Sequence, residues 1–289
     1  TLAVDGAVAV TTNGSGNALV DNGITALNMA ASSVGGNLTL TSGHASGITD
    51  NGTVTVGGNL AATTDDNNGV INLGTLAVDG TVALTTHSNG AATVVNDAGL
   101  NFAASTVGGT LSATATTGNI SDSGDLTIAG ASTFITGASG SNIILDSSGN
   151  AFSNAVTLQA DAGNETFGNI TFVDSGAVDL DSSASANGDL YINASTDGAV
   201  GGNLSVTANG DITQNVVLAV TGTTTLAAGS SNDITLGNTS NNFQDAVIIT
   251  SGANVAVTDT NAIELGASTV SGTYGITAGG AITDSGTQE

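Results

Sequence analysis

No lysine, arginine, proline, cysteine or tryptophan occurs anywhere in these 289 residues. Each absence closes a class of explanation. Without a basic side chain nothing can neutralise phosphates, so nucleic acid and anionic membrane surfaces are excluded as electrostatic partners. Without cysteine there are no disulfides, which fits a secreted bacterial-type protein held together by repetitive hydrogen bonding. Six Phe and two Tyr are too few to fill a thick globular core. No apolar run approaches the ~20 residues of a membrane helix, and membrane insertion is not expected. Thr1 is neither an initiator Met nor part of a signal sequence, so the chain reads as a mature product or an excised segment.

What is present is small and β-prone. Gly alone supplies 42 residues, and Ala, Val, Ile, Leu, Thr, Ser and Asn make up most of the rest. The 24 acidic residues leave a formal charge of -24 at pH 7. Polar, acidic, Gly-rich chains often stay disordered. Here the apolar residues alternate with polar ones in many short runs, which argues for strands.

The chain also repeats itself. LNMAAS from Leu27 returns as LNFAAS from Leu100, LYINAS from Leu190 and IELGAS from Ile263. Each copy is followed by a Gly-bearing turn and a further apolar start, at Leu38, Leu111, Leu204 and Tyr274. A second strand and turn follow at GITDNG, NISDSG, DITQNV and AITDSG, and TLAVDG at Thr1 recurs at Thr75. The spacings are 73, 90 and 73 residues, so a module of about 73 recurs, once with 17 extra residues. At about 18 residues per coil this is close to four coils, and the insertion is close to one more.

These features predict an all-β fold: a right-handed parallel β-helix, or β-solenoid, of roughly 15 coils of about 18 residues, continuous over 1–289 with no separate linker. An array of antiparallel sandwiches would need bulkier cores than these modules can fill. Within LNFAAS, period two sends Leu100, Phe102 and Ala104 inward and Asn101, Ala103 and Ser105 outward. Asp-Asn-Gly, Asp-Ser-Gly, Asn-Gly and Gly-Gly mark corners, where Gly and Asn accept a positive φ.

Runs such as GNLSVTANGDITQ from Gly202, VTGTTTLAAGSSNDITLGNTSNNF from Val220 and NVAVTDTNAIELGASTVSG from Asn254 resemble the strand repeats of filamentous-haemagglutinin-like exoproteins. The likeness extends over almost the whole chain and is one of repeat style. It implies exported bacterial surface fibres that mediate adhesion, aggregation or matrix building. The secretion domain of that class carries an Asn-Pro signature, which a chain without Pro cannot contain. The resemblance therefore implies an internal segment, or a relative exported differently.

Three features of the sequence could carry chemistry. Asp50, Asp122 and Asp284 occupy matching turns, with Gln214 in the fourth copy, and Asp65, Asp66, Asn67 and Asn68 form a second cluster. Stacked corners would bring equivalent carboxylates together, where Ca²⁺ could relieve their repulsion. The competing reading, favoured at any single site, is that these are turn residues bonded to local backbone. No cofactor is required, and diffuse calcium stabilisation fits better than one defined site. His44 and His87 lie in turn-like contexts 43 residues apart, at non-equivalent positions of successive modules. With no cation to hold a polyanionic substrate, and no GxSxG, HExxH or phosphate-binding loop, no enzyme is expected. Thr-x-Thr spacings at Thr39–Thr41 and Thr53–Thr55 suggest a flat recognition face, but they do not recur in every module. Sequons at Asn37, Asn51, Asn169 and Asn203 are expected by chance in such a composition.

The sequence therefore leads to an extracellular structural protein of the bacterial cell surface: a stalk, filament or matrix fibre with an adhesive role. Its partners would be itself, end to end or laterally, or contiguous repeats of a longer chain, and also cell-surface receptors or glycans. The alternative is a calcium-stabilised surface-recognition module, adhesin-like or ice-binding-like, with a polysaccharide-active β-helix behind it.

Overall fold

A computed structural model describes residues 1–160, 168–181, 188–192 and 199–289. Every regular element among the described residues is a β-strand, mostly of three to five residues, and all the pairings are parallel. The chain forms two compact units, Thr1–Ala138 and Ser139–Glu289. Each is a parallel β-solenoid, and together they contain about 12 turns with a spacing of about 21 residues. The turns are fewer and longer than the 15 coils of 18 expected, because each carries short extra strands at its corners besides its two main ones.

In the first unit one sheet stacks Leu27, Ile48, Ile71, Ala92, Leu111 and Ser132 in register on successive turns. The other stacks Leu38, Leu60, Val82, Phe102 and Asp122. All of these side chains are buried between the sheets. A third short row, Val34, Val56 and Val78, closes one corner. The core is thus a set of apolar columns one residue wide. This explains how a chain so poor in aromatics can fill it: in the first unit Phe102 and Phe134 meet edge to face, 6.1 Å between centroids, and most of the other buried side chains are aliphatic.

The second unit repeats the scheme. Val178, Ile212, Ile234, Val255 and Tyr274 align in one sheet. Ile143, Ile170, Leu204, Thr224 and Val247 align in the other. A short third sheet joins Ala199–Val200, Ala219–Val220 and Asn242–Phe243. The 17 additional residues do not enter as one regular coil. Partners in this stretch lie 27 and then 34 residues apart. Asp189–Ile192 is set between Val156–Gln159 and Val178–Leu180, out of chain order. Residues 193–195, the end of the third LYINAS copy, lie outside the described residues.

Turn length and module length combine to give an arrangement that differs from the expected four coils. At about 21 residues per turn, 73 residues make about three and a half turns. Consecutive copies therefore fall on opposite sheets. In the first unit Leu27 pairs with Ile48 in one sheet, whereas Leu100 pairs with Ile120 in the other. Their followers exchange sides in the same way: Leu38 lies in the sheet opposite Leu111. In the second unit Leu190 pairs with Val156 in one sheet and Ile263 with Ile282 in the other.

The strand motif itself is broken in phase. Leu100 and Phe102 point inward as expected, but Ala104 is exposed and Ser105 is buried. The backbone bends at Ala103–Ala104, which divides the motif into Leu100–Phe102 and Ser105–Val107. The hydroxyl of Ser105 compensates for the bend, as described below.

Candidate functional site

Two of the carboxylates singled out in the sequence, Asp50 and Asp66, accept hydrogen bonds from loop backbone. Asp50 ends Ile48–Asp50 and accepts three bonds from the next loop: Gly74 N–H at 2.9 Å, Thr75 N–H at 2.8 Å and Thr75 Oγ1 at 2.7 Å. Asp122, its counterpart one module later, is buried at the end of Ile120–Asp122 in the opposite sheet. Gln214 and Asp284 likewise belong to different sheets of the second unit. The half-turn offset thus places Asp50 and Asp122 in opposite sheets of the first unit, and Gln214 and Asp284 in opposite sheets of the second.

Asp65 and Asp66 sit in an exposed turn where Asn67 and Asn68 adopt left-handed φ values of 54° and 53°. Asp66 Oδ1 accepts Asn67 N–H at 2.8 Å, and Asn67 Nδ2 donates to Gly43 O at 2.8 Å. Both aspartates line an open hollow with Asp21 and Gly43. The Gly23 N–H, and then the Thr1 hydroxyl, hold the Asp21 carboxyl below its ordinary range. His44 and His87 are exposed. Non-equivalent within the module, they are brought by register to one corner of the first unit two turns apart, with the Asp65–Asp66 turn between.

One acidic grouping escaped the sequence reading. A carboxylate oxygen from each of Asp179, Asp181 and Asp189 lies within 4.8 Å of the others. Asp179 and Asp189 are cross-strand neighbours, and the Asp179 and Asp181 N–H groups donate to Gly188 O and Leu190 O. Thr213 Oγ1 donates to Asp179 Oδ1 at 2.9 Å. Such an all-oxygen set is of the kind that hard cations take. It could not be seen in the sequence because the strand order there departs from chain order.

The groups with the most regular geometry join one turn to the next. Ser105 Oγ accepts Leu84 N–H at 3.0 Å and donates to Ala103 O at 2.8 Å. Ser32 does the same with Val10 N–H and Ala30 O, and Ser268 with Ile249 N–H and Gly266 O. Three copies of the repeated motif thus spend their serine on the same pair of bonds. At another corner Asn17, Asn37 and Asn59 form a ladder, each Oδ1 accepting the backbone N–H of the residue one turn on, at 2.8–2.9 Å. Asn142, Asn169 and Asn203 repeat it at 2.7–3.0 Å. Asn37, Asn169 and Asn203, three of the sequon residues, therefore have their carbonyl oxygens committed within the solenoid.

The Gly-Gly corners serve these ladders. Their φ values are not positive, contrary to the conformational reason expected. A Cβ on Gly58 would overlap Asn37 Oδ1 and lie 2.9 Å from Gly36 O, and one on Gly202 would overlap Asn169 Oδ1. Glycine is needed there for close approach.

A family model described as repeats of unknown function matches residues 15–73, 89–159, 167–250 and 252–288. Its first two matches begin 74 residues apart, close to the module length. No curated protein and no solved structure matches the chain.

Proposed function

This chain belongs to the DUF5649 family of repeats, and from that premise we propose that it is a structural protein, a β-solenoid segment of a stalk, filament or matrix fibre at the bacterial cell surface. One observation carries the reading: the side chains held in the most regular geometry, Ser32, Ser105, Ser268 and the two asparagine ladders, all bind backbone one turn away. The polar chemistry of the repeat is invested in length. On this reading each unit is a length of solenoid in a longer fibre of contiguous repeats or further copies. The protein is not an enzyme, and its resemblance to filamentous-haemagglutinin-like exoproteins supports export and adhesion. Calcium acts as a diffuse counter-ion to the charge of -24. Electron microscopy of native material tests this. Filaments with an axial repeat of ~4.8 Å support it, and compact particles that hydrolyse a polysaccharide overturn it.

A second reading is favoured by one specific feature. Thr41, Thr63, Thr85, Thr106 and Thr127 are register partners on five successive turns of the first unit, all on the outer side of one sheet. Threonine recurs there turn by turn, not module by module, which is why the sequence did not display it. Such a row of rigid hydroxyl and methyl groups suits an ice-binding-like or glycan-recognising face. Thermal hysteresis that Thr85→Tyr abolishes would establish this second function.

A further inference from the structure

Glycine has no Cβ to keep its nitrogen from the side-chain carbonyl carbon of a preceding asparagine, and Asn-Gly occurs seven times in this chain. The pair at Asn187 lies outside the described residues. The structure divides the other six into two groups. In three of them the glycine nitrogen is committed: the Gly23 N–H donates to Asp21 Oδ1 at 2.8 Å, the Gly69 N–H to Asp66 O at 3.1 Å and the Gly90 N–H to His87 O at 3.0 Å. Asn22 is also fully buried, its side chain held by Val4 N–H (2.9 Å), Val4 O (3.0 Å) and Ala26 O (2.7 Å). Asn68 Oδ1 accepts the Asn89 N–H at 3.2 Å. In the other three pairs, Asn13–Gly14, Asn51–Gly52 and Asn209–Gly210, the asparagine is exposed and the glycine N–H donates no hydrogen bond among the described residues. Their anchors leave that nitrogen alone: Asn51 N–H donates to Met29 O at 2.9 Å, Asn209 N–H to Gly176 O at 3.0 Å, and Asn13 O accepts Gly16 N–H at 3.2 Å.

We propose that Asn13, Asn51 and Asn209 are self-modification sites, at which the folded chain exchanges an amide for a carboxylate without an enzyme. The glycine nitrogen gives its proton to solvent base and attacks the asparagine Cγ. The new N–Cγ bond closes a cyclic imide as the Cγ–Nδ2 bond breaks, and ammonia leaves with a proton from water. Water then adds to either imide carbonyl and the ring opens. The product is aspartate, or isoaspartate, in which the main chain runs through Cβ and Cγ; the net exchange is water in and ammonia out. The committed pairs must open before they can react, because the bond that holds the glycine nitrogen also fixes its peptide plane. At Asn22 the attacked carbon is fixed as well. Each event adds one carboxylate, ionised at neutral pH, to a chain that starts at -24 and has no lysine or arginine to pair with it. Asn51 follows Asp50, whose carboxylate holds Gly74 and Thr75, so conversion there sets a second carboxylate beside that anchor. The solenoid grows more acidic with age, at sites that its fold selects.

The test incubates the folded full chain in mildly alkaline buffer and follows each pair by mass spectrometry of thermolysin peptides, since trypsin finds no lysine or arginine to cut after. Asn13, Asn51 and Asn209 are expected to convert at least about tenfold faster than Asn22, Asn68 and Asn89, the factor that breaking one net hydrogen bond imposes. Isoaspartate, which an isoaspartyl methyltransferase labels, should accompany aspartate at each converted site. The same incubation in urea removes the fold and should bring the two groups to similar rates. Equal rates for the two groups in the folded chain, or a difference that persists in urea, overturns the proposal. Aspartate without isoaspartate overturns the attack by the glycine nitrogen.

Discussion

Ser105 lies where the repeated motif changes phase, and its hydroxyl is what makes that change tolerable. A strand that bends at Ala103–Ala104 leaves the Leu84 N–H of the neighbouring turn without a backbone acceptor, and Ser105 Oγ takes its place. Removing the oxygen leaves a buried donor unsatisfied, which costs about 1–3 kcal/mol. Ser105→Ala is accordingly expected to lower the stability of the chain by that amount in urea denaturation, while Ser123→Ala, on an exposed residue, is expected to lower it less. The serine could be found in the sequence because it ends all four copies of the motif. Its direction could not, because strict alternation places it outside. Nothing local in LNFAAS announces a bend whose partner is 21 residues earlier in the chain.

At the scale of the element the same distinction recurs. Strands, corners and parallel stacking were legible, since alternating Val, Leu and Ile set the strands and Gly-Gly pairs mark their ends. The reason for the second glycine was not legible. It concerns the asparagine of the turn before, which the carbonyl ladder brings against the corner. Gly58→Ala is therefore expected to destabilise the solenoid by about 1–3 kcal/mol through overpacking against Asn37 and Gly36. Gly6, whose Cβ would meet nothing within 4 Å, is the control: Gly6→Ala should change the denaturation midpoint little. The acidic turns illustrate the converse. Asp50 and Asp122 match in sequence but lie in opposite sheets, because a repeat aligned by residue number says nothing about which sheet each copy reaches.

For the whole molecule, charge and period are the governing quantities. A charge of -24 with no basic residue opposes close approach between chains, and divalent cations reduce that opposition. Calcium is expected to raise the melting temperature or to promote bundling, with chelator reversing either effect; light scattering and thermal melts with and without Ca²⁺ check this, and no change removes calcium from the account. The period makes a sharper prediction. Deleting residues 27–99 joins Ala26 to Leu100, which has the same context as Leu27, and the shortened chain should keep its β-type circular dichroism and melt cooperatively. Deleting residues 27–92 instead sets Thr93 where Leu27 stood, and should abolish the cooperative melt.

The half-turn module also bears on how such a chain can be inherited. Unequal crossing-over between neighbouring copies would add or remove one module at a time, and each event would reverse the side to which later residues point. Leu27 and Leu100, Leu38 and Leu111, and Ile48 and Ile120 already occupy opposite sheets with the same inward chemistry. Odd and even copy numbers are then equally foldable, so the length of the repeat tract can drift without first having to solve a packing problem.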